Sequence, residues 1–161
     1  MKKIIIVFVI IFVAITILLI VFGHISRSGK PAGLLEGELL KCPAKPNCVC
    51  SEQKNDTGHY IDPIIISQKS SDETMKIIKD TIQELGGIIQ TETGTYLAAT
   101  FSSAIFGFVD DLEIRIDSTQ KSIHIRSASR VGYGDLGANK KRTELIKDLY
   151  NKKIKSMKQG D

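Results

Sequence analysis

After residue 22 no second apolar run of comparable length follows, outside residues 42–50 there is no cysteine, and nowhere is there a G-x-x-x-x-G-K-[ST] segment. Each absence excludes a class. A lone apolar run has no comparable segment to cover it, so Ile4–Phe22 is not the buried core helix of a larger domain. The P-loop that cradles phosphates in many nucleotide enzymes is missing. Three cysteines separated by five residues and by one make neither the C-x-x-C of a redox dithiol nor the C-x2–4-C of a structural zinc site, even with His59 recruited as a ligand. No metal and no cofactor is therefore expected. Charge of one sign is scarce as well: Lys2 and Lys3 are two of the 22 basic residues, and the 20 that follow face 18 acidic ones. That balance leaves no electrostatic footprint for nucleic acid. The stretch from Asn139 onward, eight basic residues against three acidic, reads as a solvated helix face, with contact to anionic lipid or an acidic partner as the alternative.

What is present begins at the N-terminus. From Ile4 to Phe22 the one polar residue is Thr16, and at a rise of ~1.5 Å per residue such a helix spans ~28 Å, close to a hydrocarbon core of ~30 Å. Gly23–Ser28 offers no A-x-A-like cleavage site. Residues 1–22 are therefore expected to be an uncleaved single-pass anchor. Cys42 lies twenty residues beyond Phe22, too far for a lipoprotein cut. Lys2, Lys3 and the amino terminus face Arg27 and Lys30 across the run, so the charge bias for orientation is slight. With the short basic end inside, the folded part is extracytoplasmic at the cell membrane. Residues 23–41, rich in Gly and Ser, read as a linker, and 42–161 as one domain of common size.

Within that domain Tyr60–Ser67, with Pro63 inside it, reads as an edge strand. Ser70 and Glu73 have capping-box spacing ahead of a helix whose Met75, Ile78, Ile82 and Leu85 share a face, and Gly86-Gly87 ends it. Ile88–Thr93 and Thr95–Ser102 flank Gly94 as one strand pair; Val109–Asp117 and Ser122–Val131 form a second. Asp135 caps a last helix with Ile146 and Leu149 and, less regularly, Leu145, Tyr150 and Ile154 on its apolar side. The order predicts an α+β domain, a mainly antiparallel sheet of about five strands with two helices packed on one face.

CPAKPNCVC at residues 42–50, with FVDDLEIRID and IHIRSASRVGYGDLGANKKR further on, resembles the signatures of the domain-of-unknown-function 1499 family, from Cys42 to about Leu149. The resemblance implies a small domain, often exported or membrane-anchored, and carries no established reaction, cofactor or partner. Cys50 departs from the family's usual Ser. In an oxidising compartment Cys42 and Cys48 form the expected disulfide, since the stiff Pro-Ala-Lys-Pro-Asn between them can turn the chain back. Cys50 is then the odd thiol: free and buried, paired in place of Cys42 or Cys48, or linked to another chain.

A two-residue turn at Thr119-Gln120 sets the register of the last hairpin. Leu112, Ile114 and Ile116 then oppose Ser127, Ile125 and Ile123 on the core face. Asp111, Glu113 and Arg115 oppose Ala128, Arg126 and His124 on the other, where Glu113 and Arg126 pair and Asp111 lies diagonal to Arg126 and Arg130. The plain reading of this second face is a charge ladder washed by solvent, each pair weak. The functional reading uses the chain's course from Arg130 into Val131-Gly132-Tyr133-Gly134-Asp135, a glycine-bearing loop ending at a helix start, where backbone N–H groups can receive an anion. Asp111, Arg126, Arg130, Tyr133 and Asp135 are the candidate binding residues for an anionic small ligand or a protein partner, with Arg130 a surface donor whose loss spares the fold. On the core side Asp110, level with Ser129, needs a partner, and Asn139 and Arg142 share the inward side of their helix with Ile146. Asp110, Ser129, Asn139 and Arg142 are thus expected to form a structural polar core. A hydrolase acting on a phosphate or carboxylate would use Asp110 or Asp111 as base and Arg130 with Arg142 as clamp. No nucleophile accompanies them, because His59 and His124 have no Ser or Cys placed to complete a triad, so no catalytic residue is assigned. The reading reached is a membrane-tethered binding or assembly module, with a small hydrolase-like enzyme and a purely structural envelope domain as alternatives.

Overall fold

Alternation of apolar and polar residues in the long central strands decides which elements can pack where. The computed structural model describes residues 1–66 and 70–159. Its elements run α1 (Lys2–Arg27), β1 (Leu34–Leu35), β2 (Glu38–Leu39), β3 (Cys48–Cys50), β4 (Ile64–Ile65), α2 (Ser71–Glu84), β5 (Ile88–Thr93), β6 (Tyr96–Ser102), β7 (Val109–Asp117), β8 (Ser122–Ser129) and α3 (Ala138–Gln159). A six-stranded antiparallel sheet follows the order β3-β8-β7-β6-β5, and β4 also pairs with β8. The α+β architecture is therefore the expected one. Its additional strand is Cys48–Cys50, within a segment that the sequence reads only as a staple. Of the expected edge strand Tyr60–Ser67, Ile64 and Ile65 pair with Ile123 and Ser122, while Ser67 lies outside the described residues.

The β7–β8 register is the predicted one, from Asp110 opposite Ser129 to Asp117 opposite Ser122. The connection is a four-residue turn, 118–121, held by the Asp117 carboxylate, which accepts from the Thr119 and Gln120 N–H groups. One face, with Leu97, Leu112, Ile114, Ile123 and Ile125, is fully buried beneath both helices of the domain. α2 contributes Met75, Ile78 and Ile82, and its capping box at Ser70 and Glu73 is formed. α3 contributes Ile146, Tyr150 and Ile154, whereas Leu145 is exposed and Leu149 half-buried. Asp135 starts α3 by accepting from the N–H groups of Gly137 and Asn139.

The second face is covered too, which corrects the picture of a solvent-washed ladder. β1 and β2 form a hairpin through Glu36 and Gly37, both at positive φ (53° and 85°), as a type I′ turn requires. Leu39 then packs beneath it with Cys42, Cys48, Cys50, Tyr96, Ala98 and Ala128 as a smaller core. The disulfide joins Cys42 to Cys48, with Cα atoms 5.7 Å apart, and Cys50 is a free, buried thiol. Burial pushes its pKa up.

Candidate functional site

Burying the second face forces each of its charges to find a partner, because an unpaired charge there is expensive. Glu113, fully buried, accepts from Arg126 Nη1 (2.7 Å), the Tyr96 hydroxyl (2.8 Å) and the Gly33 N–H (2.7 Å). Glu52 accepts from Arg115 Nε and from the Leu39 N–H, which ties the hairpin to the sheet. His124 lies between the hydroxyls of Ser51 and Ser122, each 3.2 Å from a ring nitrogen, and burial pushes its pKa down.

Arg130 holds Asp111 through two nitrogens, Nε to Oδ2 at 2.9 Å and Nη2 to Oδ1 at 2.7 Å. Its remaining Nη1 donates to the carbonyls of Ser26 and Arg27 at the end of α1, at 3.2 and 3.4 Å. The side chains of Arg130 and Asp111 are 10% and 7% exposed, so Arg130 is not the free surface donor that the sequence suggests. It is a latch between the sheet and α1. The same joint uses Ser26, whose hydroxyl accepts from the Val109 N–H at 3.1 Å, and Gly23, where a β-carbon would overlap the Phe106 carbonyl oxygen.

Beneath the start of α3 the four polar core residues come together. Arg142 Nη2 donates to Asp110 at 2.7 Å and Nη1 to Asn139 Oδ1 and Ser127 Oγ, while the guanidinium stacks 4.6 Å from the Phe101 ring centre. Asn139 Nδ2 reaches Ser129 Oγ, the Asn47 carbonyl and Asp135 Oδ2. Asp135 thereby fills the helix start with its own carboxylate, and the N–H groups that could receive an anion there are engaged by it. Tyr133 is 71% exposed and stands apart from both clusters.

The open concavity at this end of the sheet lies beside the arginines. A cavity of about 690 Å³ is walled by Leu19 and Phe22 of α1, by Phe106 and Phe108 of the loop between β6 and β7, and by Val131 and Leu136 of the loop before α3. Asp110, Ser129 and Asp135 bring the edge of the polar core to its floor. Sequence reasoning missed this wall. The signal for it was Ile105-Phe106-Gly107-Phe108, an apolar run at a strand connection where turn residues are the rule. It missed Gly23 and Ser26 too, because their partners lie some eighty residues away.

A family model described as "Protein of unknown function (DUF1499)" matches residues 38–149. No curated protein matches the chain.

Proposed function

The chain belongs to the DUF1499 family, and on that premise we propose that it is a membrane-anchored envelope protein whose domain is a binding module, with the cavity beside α1 as its site. The observation that carries this reading is the joint at Arg130. A helix long and apolar enough to cross a membrane ends in contacts built for it: Ser26 is buried, Gly23 permits the approach to Phe106, and Arg130 receives the last carbonyls. A signal peptide destined for removal has no use for such a seat, which favours an uncleaved anchor. The intramolecular disulfide between Cys42 and Cys48 favours an extracytoplasmic domain.

The expectation of an anionic ligand or partner rested on Arg126 and Arg130 being available. Both guanidiniums already hold buried carboxylates, and releasing one would leave its carboxylate uncompensated. The cavity, by contrast, is within the usual size of ligand sites and lined mainly by apolar side chains with a few polar groups at one end. A photoreactive residue placed at Phe108 in the full chain, irradiated in native membranes, should give a discrete adduct that the same residue at Gln90 on the far edge strand does not. Equal labelling at the two positions would remove the cavity as a site.

A further inference from the structure

We propose that the cavity takes an acyl chain of a membrane phospholipid, with the lipid's phosphate held at the rim by Arg27. The inference rests on the cavity being a binding site and on α1 being an uncleaved span, and it names the ligand class. Leu19 and Phe22 wall the cavity and are also the last turn of the apolar run Ile4–Phe22. A helix of that run spans ~28 Å against a hydrocarbon core of ~30 Å, so these side chains stand at the hydrocarbon's outer boundary. The cavity is therefore continuous with the lipid phase on one side and runs up against the sheet on the other. An acyl chain enters it sideways without crossing water, a route closed to a soluble ligand of the same apolarity.

The rim has the same character. Ile105 and Leu136, on the two separate loops that bound the cavity, are 85% and 98% exposed. Large apolar side chains so placed are unfavourable in water and are relieved at a lipid interface. The lining contains no Lys or Arg, and its two carboxylates are engaged, Asp110 with Arg142 and Asp135 with the N–H groups opening α3. The interior thus suits a neutral chain and not an anionic head. The cation lies outside: the Arg27 guanidinium lies over Gly107 and has no carboxylate partner among the described residues. A phosphate on a lipid whose tail fills the cavity meets it there.

The test uses the full chain reconstituted in phosphatidylcholine vesicles that contain a minor fraction of phosphatidylglycerol with a diazirine at the end of one acyl chain. Irradiation should label α1, as for any spanning helix, and also the peptides containing residues 103–108 and 131–136. Ala138→Trp, which fills the cavity from the exposed first residue of α3, should lower loop labelling roughly tenfold while α1 labelling is kept. Leu136→Glu has no packing to lose and should lower it by putting a charge at the entrance. Arg27→Gln should lower it by removing the cation. Labelling confined to α1, or loop labelling indifferent to Ala138→Trp and Leu136→Glu, overturns the proposal. So does a chain-to-chain adduct at the loops in place of lipid, which would assign the cavity to a second copy. If photoreactive Phe108 in native membranes captures a protein while these vesicles give no loop adduct, the binding module stands and the lipid falls.

Discussion

Glu113 and Arg130 show how the residue scale sets the stability of this fold. The Asp111–Arg130 pair has side chains 7% and 10% exposed, and the Asp110–Arg142 pair 14% and 15%. Removing one partner of such a pair strands the other, at about 3 kcal/mol or more where burial is deepest. Arg130→Ala should therefore destabilise the domain at least as much as Arg142→Ala, read as the midpoint of denaturant unfolding; an Arg130→Ala midpoint equal to wild type would show that the latch is a surface contact. Tyr96→Phe takes one of three donors from Glu113 and should cost about 1.5–3 kcal/mol, the worth of a hydrogen bond to a charged group. His124 adds a pH dependence. Burial holds its pKa below the ordinary ~6.5, so the unfolded chain takes up a proton that the folded chain refuses. The stability it contributes is complete above about pH 6.5 and is lost as pH falls through the lower folded value. Midpoints should fall on acidification and fall less steeply in His124→Gln, whereas equal slopes for the two proteins would assign the dependence to other groups.

At the scale of elements, what was legible was local. The capping box of α2, the Gly86 stop and the β7–β8 register all follow from residues within one helix or one hairpin. The register survived a turn of four residues where two were expected, because the apolar face of Ile114, Ile116, Ile123 and Ile125 pins it. The Asp110–Arg142 pair was legible for the same reason, once the register set Asp110 on the core side. What was not legible was non-local. β3 joins β8 across some eighty residues, and the β1–β2 hairpin, two residues per strand, carries too little periodicity to be seen before the sheet beneath it is known. That cover changed the meaning of the charge ladder from surface to interior. The disulfide stiffens the path into β3. A separation of six residues gives a loop whose closure is worth about 2 kcal/mol in the chain-entropy model. Reduction should lower the unfolding midpoint by that modest amount without abolishing the fold. In the unreduced native protein none of the three cysteines should alkylate readily, Cys42 and Cys48 because they are joined and Cys50 because burial raises its pKa. Rapid labelling of Cys42 and Cys48 before reduction would remove the staple.

The whole molecule is a sheet fastened to the end of an apolar helix, and the fastening converts topology into orientation. Gly23, Ser26 and Arg27 fix α1 against the loop before β7, so on the proposed anchoring the loops carrying Ile105 and Leu136 stand at the lipid surface and the β5 edge does not share that placement. Which side of the membrane this happens on is decided only weakly by charge, with Lys2 and Lys3 against Arg27 and Lys30. The stronger argument is chemical. A disulfide between Cys42 and Cys48 persists in an oxidising compartment and is rare in a reducing one, which on the proposed anchoring favours a sheet outside the cytoplasm with the N-terminus inside. A reporter active only after export, fused beyond residue 161, should be active, and one active only in the cytoplasm should be silent. Gly23→Leu separates anchoring from seating. The new side chain would meet the Phe106 carbonyl and lift the domain from its seat, while the apolar run and its flanking charges are unchanged. Export should then persist, but the segment 103–108 should become accessible to protease added outside. If Gly23→Leu leaves that segment as protected as in the wild type, the joint seen between α1 and the sheet does not govern how the domain meets the membrane.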